Sequence, residues 1–172
     1  DGIETLFTAP TMFRVAEIVG DAMRIVMNRY GPGLTAAGEN SASSIVVSGQ
    51  RAGGAMRLFM VYSAGNFIEA TEDTPYFQIG EHKYGKPILD RVIDPETPLQ
   101  MGLTACFLSM DSTLRSNLSV GMPLDLSVMR KDAIEFEQLR RIEEGDENFL
   151  ALSDAWSAAL RHSFDEMVQI PV

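Results

Sequence analysis

The most informative feature of this chain is one hydroxyl-rich stretch, Asp111-Ser-Thr-Leu-Arg-Ser-Asn-Leu-Ser-Val-Gly121. It directly follows an apolar helical pattern and interleaves Leu114, Leu118 and Val120 with hydroxyl, amide and charged groups. Such a mixture is typical of a half-buried segment. Because a buried polar group needs a hydrogen-bond partner, these hydroxyls are expected to form an internal polar network or to serve as a functional site.

Asp111 is the most unusual residue of the stretch. It lies late in a helix predicted near 98–114, where a carboxylate opposes the helix dipole. It is therefore expected to be exposed, or to be held by partners such as Arg115, Ser112 or Ser116. Two interpretations stay open from the residues alone: a polar network at the helix end, or an acid that orients a nucleophile supplied elsewhere in the fold.

Composition limits the classes of protein. The 172 residues, 45% hydrophobic and 22% charged, suit one globular domain with a sizeable core. No apolar run approaches the roughly 20 residues of a membrane span, and no signal peptide is visible. The net charge of −10 argues against nucleic-acid binding and is compatible with a cytoplasmic protein. Cys106 is expected to be a small core residue in a reducing compartment.

Residue periodicity predicts an α+β fold in the order helix, four strands, two helices, two strands, helix. Helices are predicted over 11–30, 84–93, 98–114 and 147–167, and strands over 44–48, 57–62, 66–70, 76–79, 124–129 and 134–139. Thr8 or Thr11 is expected to cap the first helix and Gly31-Pro32 to end it, while Thr97 and Asp146 cap the third and the last. The first helix is apolar over a wide arc, so it is expected to be covered on more than one side.

Metal binding and a catalytic triad both lack sequence support. His82 and His162 are the only histidines, and neither has metal-ligand spacing or a nucleophile motif nearby. No metal and no cofactor is therefore predicted. Gly80-Glu-His-Lys-Tyr-Gly85 opens a helix, so its backbone N–H groups are candidates for binding an anion or oxyanion. The same glycines also fit a plain turn.

Two longer segments carry a family resemblance: Tyr76-Phe-Gln-Ile-Gly-Glu-His-Lys-Tyr-Gly-Lys-Pro-Ile-Leu-Asp-Arg-Val-Ile93 and Ser109-Met-Asp-Ser-Thr-Leu-Arg-Ser-Asn-Leu-Ser-Val-Gly-Met-Pro-Leu-Asp125. They resemble bacterial proteasome-type peptidases, and among these the ancestral β-subunit group called Anbu. The segment Asn66–Thr71 and the final helix agree with it. The resemblance covers nearly the whole chain from about Pro10 onward.

The resemblance implies an N-terminal nucleophile (Ntn) hydrolase fold, a four-layer αββα sandwich of two antiparallel sheets between helical layers. In that family an N-terminal threonine hydroxyl attacks the peptide carbonyl and its own α-amine acts as base. The reference pKa of such an amine, about 7.7–8.0, removes the need for a histidine. The resemblance also implies a homo-oligomer, either a ring or an open helical assembly, acting on peptides or unfolded proteins. It leaves an ATP-dependent unfoldase partner undecided.

The sequence departs from the family pattern at its start. It opens on Asp1 rather than threonine. The first strands and helix, with the nucleophile and the Asp and Lys that tune it, would add about 60 residues at average element lengths. The single domain 1–172 is therefore expected to be incomplete at its N-terminus and inactive alone. The missing segment is expected as a second piece, or its place is taken by an oligomer contact.

Only supporting positions carry over from the family. Asp111 matches the acid after the long helix, and Ser116 or Ser119 matches the serine that steadies the amine. Gly80 and Glu81 stand on the substrate side, where the family has a serine. Three functions stay open: a threonine peptidase subunit, an inactive scaffold or assembly subunit, and a small-ligand or peptide-binding domain.

Overall fold

A computed structural model describes residues 3–133 and 135–168 of the protein. Over these ranges the chain forms four helices and five strands: α1 Met12–Ala36, β1 Ser44–Gly49, β2 Arg57–Tyr62, β3 Phe67–Glu69, α2 Lys86–Val92, α3 Leu99–Ser116, β4 Leu124–Met129, β5 Phe136–Ile142 and α4 Glu147–Glu166. This is the predicted α+β class, with one strand fewer than expected. None of the helices in the described ranges has both the length and the apolar character of a membrane span.

The chain divides into two compact units. The first comprises residues 1–80 and 128–137, and the second comprises residues 81–127 and 138–172. In the first unit β1, β2 and β3 form an antiparallel sheet with β2 in the middle. The strands β4 and β5 form a separate two-stranded sheet.

The core of the first unit lies between α1 and one face of its sheet. Its buried side chains come from the segment before α1, from α1 and from β2: Ala9, Met12, Val15, Ala16, Met23, Phe59 and Val61. The opposite face of the sheet is apolar as well, because Met60 lies opposite both Val46 and Ile68 in the register. A sheet that is apolar on both faces is expected to be covered on both.

Two glycines allow α1 to contact the turn between β2 and β3. A Cβ atom on Gly20 would lie 2.3 Å from the carbonyl oxygen of Gly65, which is closer than real Cβ contacts occur. Gly65 itself has a φ of +87°, a conformation that favours glycine. The helix therefore packs on the turn through backbone atoms.

Helix α3 contacts both α2 and α4 in the second unit. At the α2 end, a Cβ atom on Gly85 would lie 2.7 Å from the carbonyl oxygen of Ser109, so only glycine fits. At the α4 end, the rings of Phe107 and Phe149 meet edge to face with centroids 6.1 Å apart. The consequence is a closely packed helical group whose middle member carries Asp111.

The prediction that Gly31-Pro32 ends the first helix is wrong. Pro32 lies inside α1, which continues to Ala36. Gly38, two residues after the end of the helix, has a φ of +78°, and the N–H of Glu39 donates to the carbonyl of Leu34 at 2.9 Å, which terminates the helix. At the other end Thr11 is the cap, since its hydroxyl accepts from the N–H of Arg14 at 3.0 Å.

Two strand predictions need correction. Residues 76–79 form no strand, because an extended apolar segment becomes a strand only where a neighbour supplies the hydrogen-bond ladder. The strand predicted over 134–139 begins at a residue outside the described ranges, and the observed strand β5 runs over Phe136–Ile142. The predicted turn at Lys131-Asp132 is confirmed, and Asp132 has a φ of +67°.

Two side-chain predictions are also wrong. Thr97 does not cap α3, because its hydroxyl instead accepts from the backbone N–H of Asp94 at 2.8 Å. Cys106 is exposed rather than buried. Among the described residues α1 packs on the sheet through one face, and Ile25 on another face is 67% exposed, so the expectation of cover on more than one side stays a prediction. Burial depends on which neighbour each helix face meets, and periodicity does not specify that neighbour.

Asp146 caps α4 and should make stability depend on pH. Its carboxylate accepts from the N–H of Phe149 at 3.0 Å and from Arg140 at 2.6 Å, and these bonds, the backbone one first, hold the pKa of Asp146 below its usual value. A carboxylate with a lowered native pKa stabilises the fold fully above the unfolded pKa of about 3.9, and this contribution is lost as the pH falls through the native pKa.

Asp146→Asn keeps a capping oxygen but removes the charge. We expect the variant to be less stable than the wild type in urea unfolding at neutral pH, with the difference shrinking as the pH falls from the unfolded pKa of about 3.9 through the lowered native pKa. Asp154→Asn, at an exposed position of the same helix, is the matched control and should show no such dependence. A destabilisation by Asp146→Asn that is constant with pH would show that the charge has no role.

Candidate functional site

Asp111 is buried, with only 6% of its surface exposed, and it is held by two partners. Its Oδ1 accepts from the hydroxyl of Ser153 at 2.7 Å, and both carboxylate oxygens lie 3.2 Å from Nε of Arg115. Arg115 also donates to the Ser153 hydroxyl at 2.6 Å. The three side chains form a closed triangle that links α3 to α4.

Sequence reasoning found one of these partners and missed the other. Arg115 was an expected partner because it lies one helical turn after Asp111. Ser153 lies 42 positions later, on α4, and no pattern connects the two sequence positions. The sequence offered one signal for this partner: Ser153 is a serine within the largely apolar face of α4.

Ser119 belongs to a different hydrogen-bonded group. Its hydroxyl donates to Oδ1 of Asn117 at 2.7 Å, and its backbone N–H donates to the same oxygen at 2.8 Å. The side-chain amide of Asn117 donates in turn to Oε2 of Glu81 at 2.8 Å. The loop that follows α3 is thereby connected to the loop that precedes α2.

The remaining predicted residues lie close in sequence to this group. Ser116 is the last residue of α3 and its side chain is exposed. Gly80 is exposed with a φ of +80°, and it precedes Glu81 in the chain. The predicted half-burial of the stretch holds in part, because Asp111 and Thr113 are buried, whereas Leu118 is fully exposed.

Asn117 is the residue that sequence reasoning missed in the loop. An asparagine that accepts from the N–H two residues later forms an Asx turn, and Asn117-Leu-Ser119 has that spacing. The motif was visible in the sequence. Its link to Glu81, 36 positions earlier, was not.

The chemical capacity of this group follows from its donors and acceptors. A serine hydroxyl has one proton to donate and two lone pairs that accept. The Ser119 proton is directed to Asn117, so its lone pairs remain available to an N–H donor. The Glu81–Asn117–Ser119 group is thus suited to holding an amine or ammonium group.

No metal centre accompanies these groups in the part of the chain that the structure describes, since no three His, Cys, Asp or Glu side chains converge there. The second unit also has an open apolar cleft of about 330 Å³. Its lining comes from α2, α3, α4 and the loop before α2: Tyr84, Pro87, Ile88, Arg91, Val92, Ser112, Trp156 and Leu160. None of the predicted site residues lines this cleft.

No protein-family model and no curated protein matches the chain, but several solved structures do. Anbu from Hyphomicrobium sp. strain MC1 is 48% identical with a TM-score of 0.87, over 100% of this chain and 70% of its own. Anbu (ancestral beta-subunit) from Yersinia bercovieri is 40% identical with a TM-score of 0.89, over 99% and 72%. The Anbu complex of Pseudomonas aeruginosa, described as a helical assembly, is 44% identical with a TM-score of 0.84, over 94% and 67%.

Identity of this size over almost the whole chain goes beyond a shared fold. The α+β arrangement, with the polar stretch at the end of its long helix, is that of a proteasome-related subunit. The chain belongs to the Anbu family of ancestral proteasome β subunits. The family resemblance stated from the sequence is therefore confirmed.

Proposed function

We propose that this chain is the C-terminal part of a proteasome-type N-terminal-threonine peptidase subunit that hydrolyses peptide bonds within a homo-oligomer. The proposed nucleophile is the threonine at the N-terminus of the mature full-length polypeptide. Its hydroxyl attacks the scissile carbonyl and its free α-amine accepts the proton. No cofactor takes part, and the location of the protein is cytoplasmic. The underlying fold is the four-layer Ntn sandwich.

The observation that carries this proposal is the orientation of Ser119. Its hydroxyl donates to Asn117, so its lone pairs can accept an N–H from the threonine amine. An acceptor near an amine favours the protonated form, which is the form the base takes during attack. Ser119 is therefore assigned the steadying role, ahead of Ser116, because the hydrogen bond to Asn117 fixes the direction of the Ser119 hydroxyl.

Asp111 supports the same site indirectly, through the position of helix α3. Both of its oxygens are engaged by Arg115 and Ser153, so it acts by holding the end of α3 in place. Ser116 to Ser119 follow directly from that end. Gly80 and Glu81 take the substrate side of the site, where the positive φ of Gly80 turns the backbone.

Assembly into an open helical oligomer is part of the proposal. The related Pseudomonas aeruginosa structure is described as a helical assembly of the Anbu complex. The single chain exposes large apolar side chains on α1, β5 and α4, including Ile25 at 67%, Leu139 at 72% and Phe164 at 78%. Exposed apolar surface of this kind is typical of an interaction surface. The substrates are then peptides or unfolded proteins that reach the assembled subunits.

Peptide hydrolysis by the assembled full-length protein tests the proposal. Ser119→Ala should lower kcat by about tenfold, because one hydrogen bond to the amine contributes about 1–1.5 kcal/mol. The measurement is turnover of a fluorogenic peptide, with assembly checked by size. Thr104→Ala, which removes a hydroxyl bonded only along its own helix, is the matched control and should leave turnover unchanged.

An assembled protein with a threonine N-terminus and no turnover of any peptide would favour the inactive scaffold. Turnover that Ser119→Ala leaves unchanged would contradict the role of Ser119 alone. A small molecule retained in the apolar cleft under native mass spectrometry would favour the ligand-binding alternative instead.

A further inference from the structure

We infer that Asn117 is a positioning residue that sets the direction of the Ser119 hydroxyl, and that Glu81 fixes the Asn117 amide. The inference rests on the proposed peptidase function and deepens it. It adds two residues that neither the sequence pattern nor the family resemblance assigns to this role. Its basis is the unbroken chain of hydrogen bonds from Glu81 through Asn117 to Ser119.

The orientation of the Asn117 amide follows from its partners. A carboxylate only accepts, so the group that faces Oε2 of Glu81 at 2.8 Å must be the NH₂. The carbonyl oxygen then faces Ser119, where it accepts from the backbone N–H at 2.8 Å and from the hydroxyl at 2.7 Å. A flipped amide would place its NH₂ against the N–H of Ser119 and its oxygen against Glu81. The carboxylate thus selects one of the two amide orientations.

The amide orientation decides what Ser119 can offer. With the Asn117 oxygen facing it, the hydroxyl gives up its only proton and presents lone pairs elsewhere. With the amide reversed or absent, the hydroxyl proton is free to rotate, and the hydroxyl can donate to an amine instead of accepting from it. Donation to a neutral amine occupies the lone pair that takes the proton during catalysis. Acceptance from the amine leaves that lone pair free.

Glu81 is suited to this task because it is itself anchored. Its second oxygen, Oε1, lies 3.4 Å from the backbone N–H of Lys83 in the same loop. The carboxylate is also the charged partner of a neutral amide, and hydrogen bonds to charged groups are stronger than neutral ones. Glu81 is therefore a remote orienting group that acts on Ser119 only through Asn117.

The test compares four variants in the assembled full-length protein. Asn117→Ala and Glu81→Ala should each lower kcat about five- to tenfold while KM changes by less than about twofold, the size of one hydrogen bond. Glu81→Gln should be clearly less impaired in kcat than Glu81→Ala, because the carbonyl oxygen of glutamine still accepts from Asn117. Asn40→Ala is the control, since it removes an Asx turn of the same kind, with 2.9 Å to the N–H of Ala42, in the first unit.

A second readout does not require turnover. The pH dependence of acylation of the N-terminal α-amine gives the pKa of that amine directly. Asn117→Ala should lower that pKa by about half a unit to one unit, because the Ser119 hydroxyl is no longer held as an acceptor and can instead donate to the neutral amine. If Asn117 only stabilises the fold, Asn117→Ala would slow assembly, but the pKa of the α-amine in the assembled protein would not change.

The outcomes separate the inference from the proposed function. An unchanged amine pKa in Asn117→Ala overturns the inference even when the wild type is an active peptidase. Glu81→Gln as impaired as Glu81→Ala also overturns it, because the charge rather than the acceptor would then matter. A full-length protein without a threonine N-terminus overturns both. A threonine terminus with the lowered pKa but no turnover supports the inference and overturns the peptidase function.

Discussion

Gly20→Ala is expected to destabilise the first unit by about 3 kcal/mol or more, at the upper end of the usual cost of overpacking. The added methyl group would lie 2.3 Å from the carbonyl oxygen of Gly65, and backbone cannot rotate away as a side chain can. The helix must therefore separate from the β2–β3 turn. That loosens its contacts with Phe59 and Val61, which are fully buried. The midpoint of urea or thermal unfolding measures the loss.

Gly33→Ala is the matched control in the same helix. No atom lies within 4 Å of the position that its Cβ would take. Alanine is the better helix former, so this variant should be more stable than the wild type by about 0.5–1 kcal/mol. Two identical substitutions in α1 are thus expected to have opposite signs. Equal effects would show that the contact between Gly20 and Gly65 does not form.

Asp111→Ala is expected to destabilise the protein by about 1–3 kcal/mol and to impair peptide turnover while assembly is retained. The substitution leaves the hydroxyl of Ser153, which is 5% exposed, without the acceptor that lies 2.7 Å away. Arg115 is more than half exposed, so water compensates for most of its lost partner. The effect on turnover follows because the end of α3, which positions Ser119, is less firmly held.

A double-mutant cycle with Ser153→Ala separates the contributions. Asp111 and Ser153 touch directly, so the free energies of unfolding of the two single variants should not add. Asp111→Asn keeps one acceptor oxygen for Ser153 and should be intermediate in stability. If the losses of unfolding free energy in the two single variants add, Asp111 and Ser153 are not coupled, which would contradict the hydrogen-bonded triangle that they form with Arg115. Unchanged turnover in Asp111→Ala would contradict the supporting role of the acid.

Much of the fold was predictable because local rules decide it. The strands at Ser44–Gly49 and Arg57–Tyr62 are short apolar runs separated by a glycine-containing turn, and the predictions agree with the structure to within a residue. The predicted end of α1 at Gly31-Pro32 is wrong, because the helix continues through Pro32. Gly38, further along the chain, provides the C-terminal motif. The strand predicted over 76–79 failed because pairing is a tertiary property.

The candidate site was predictable only where its residues are neighbours in sequence. Asp111 and Arg115 are one helical turn apart, and Asn117 and Ser119 form an Asx turn, so both pairs follow local rules. Their partners Ser153 and Glu81 come from other parts of the chain, 42 and 36 positions away. Long-range partners of this kind are set by how the helices pack, and one sequence does not specify that packing.

The N-terminal residue of the assembled full-length protein distinguishes a threonine peptidase from an inactive scaffold. Intact-mass measurement combined with N-terminal sequencing should find a free threonine, with an aspartate and a lysine downstream of it. A free threonine whose α-amine can act as base is the result the account predicts. A blocked amine, or any other first residue without a nucleophilic hydroxyl, would contradict it and leave an inactive scaffold of the Anbu family.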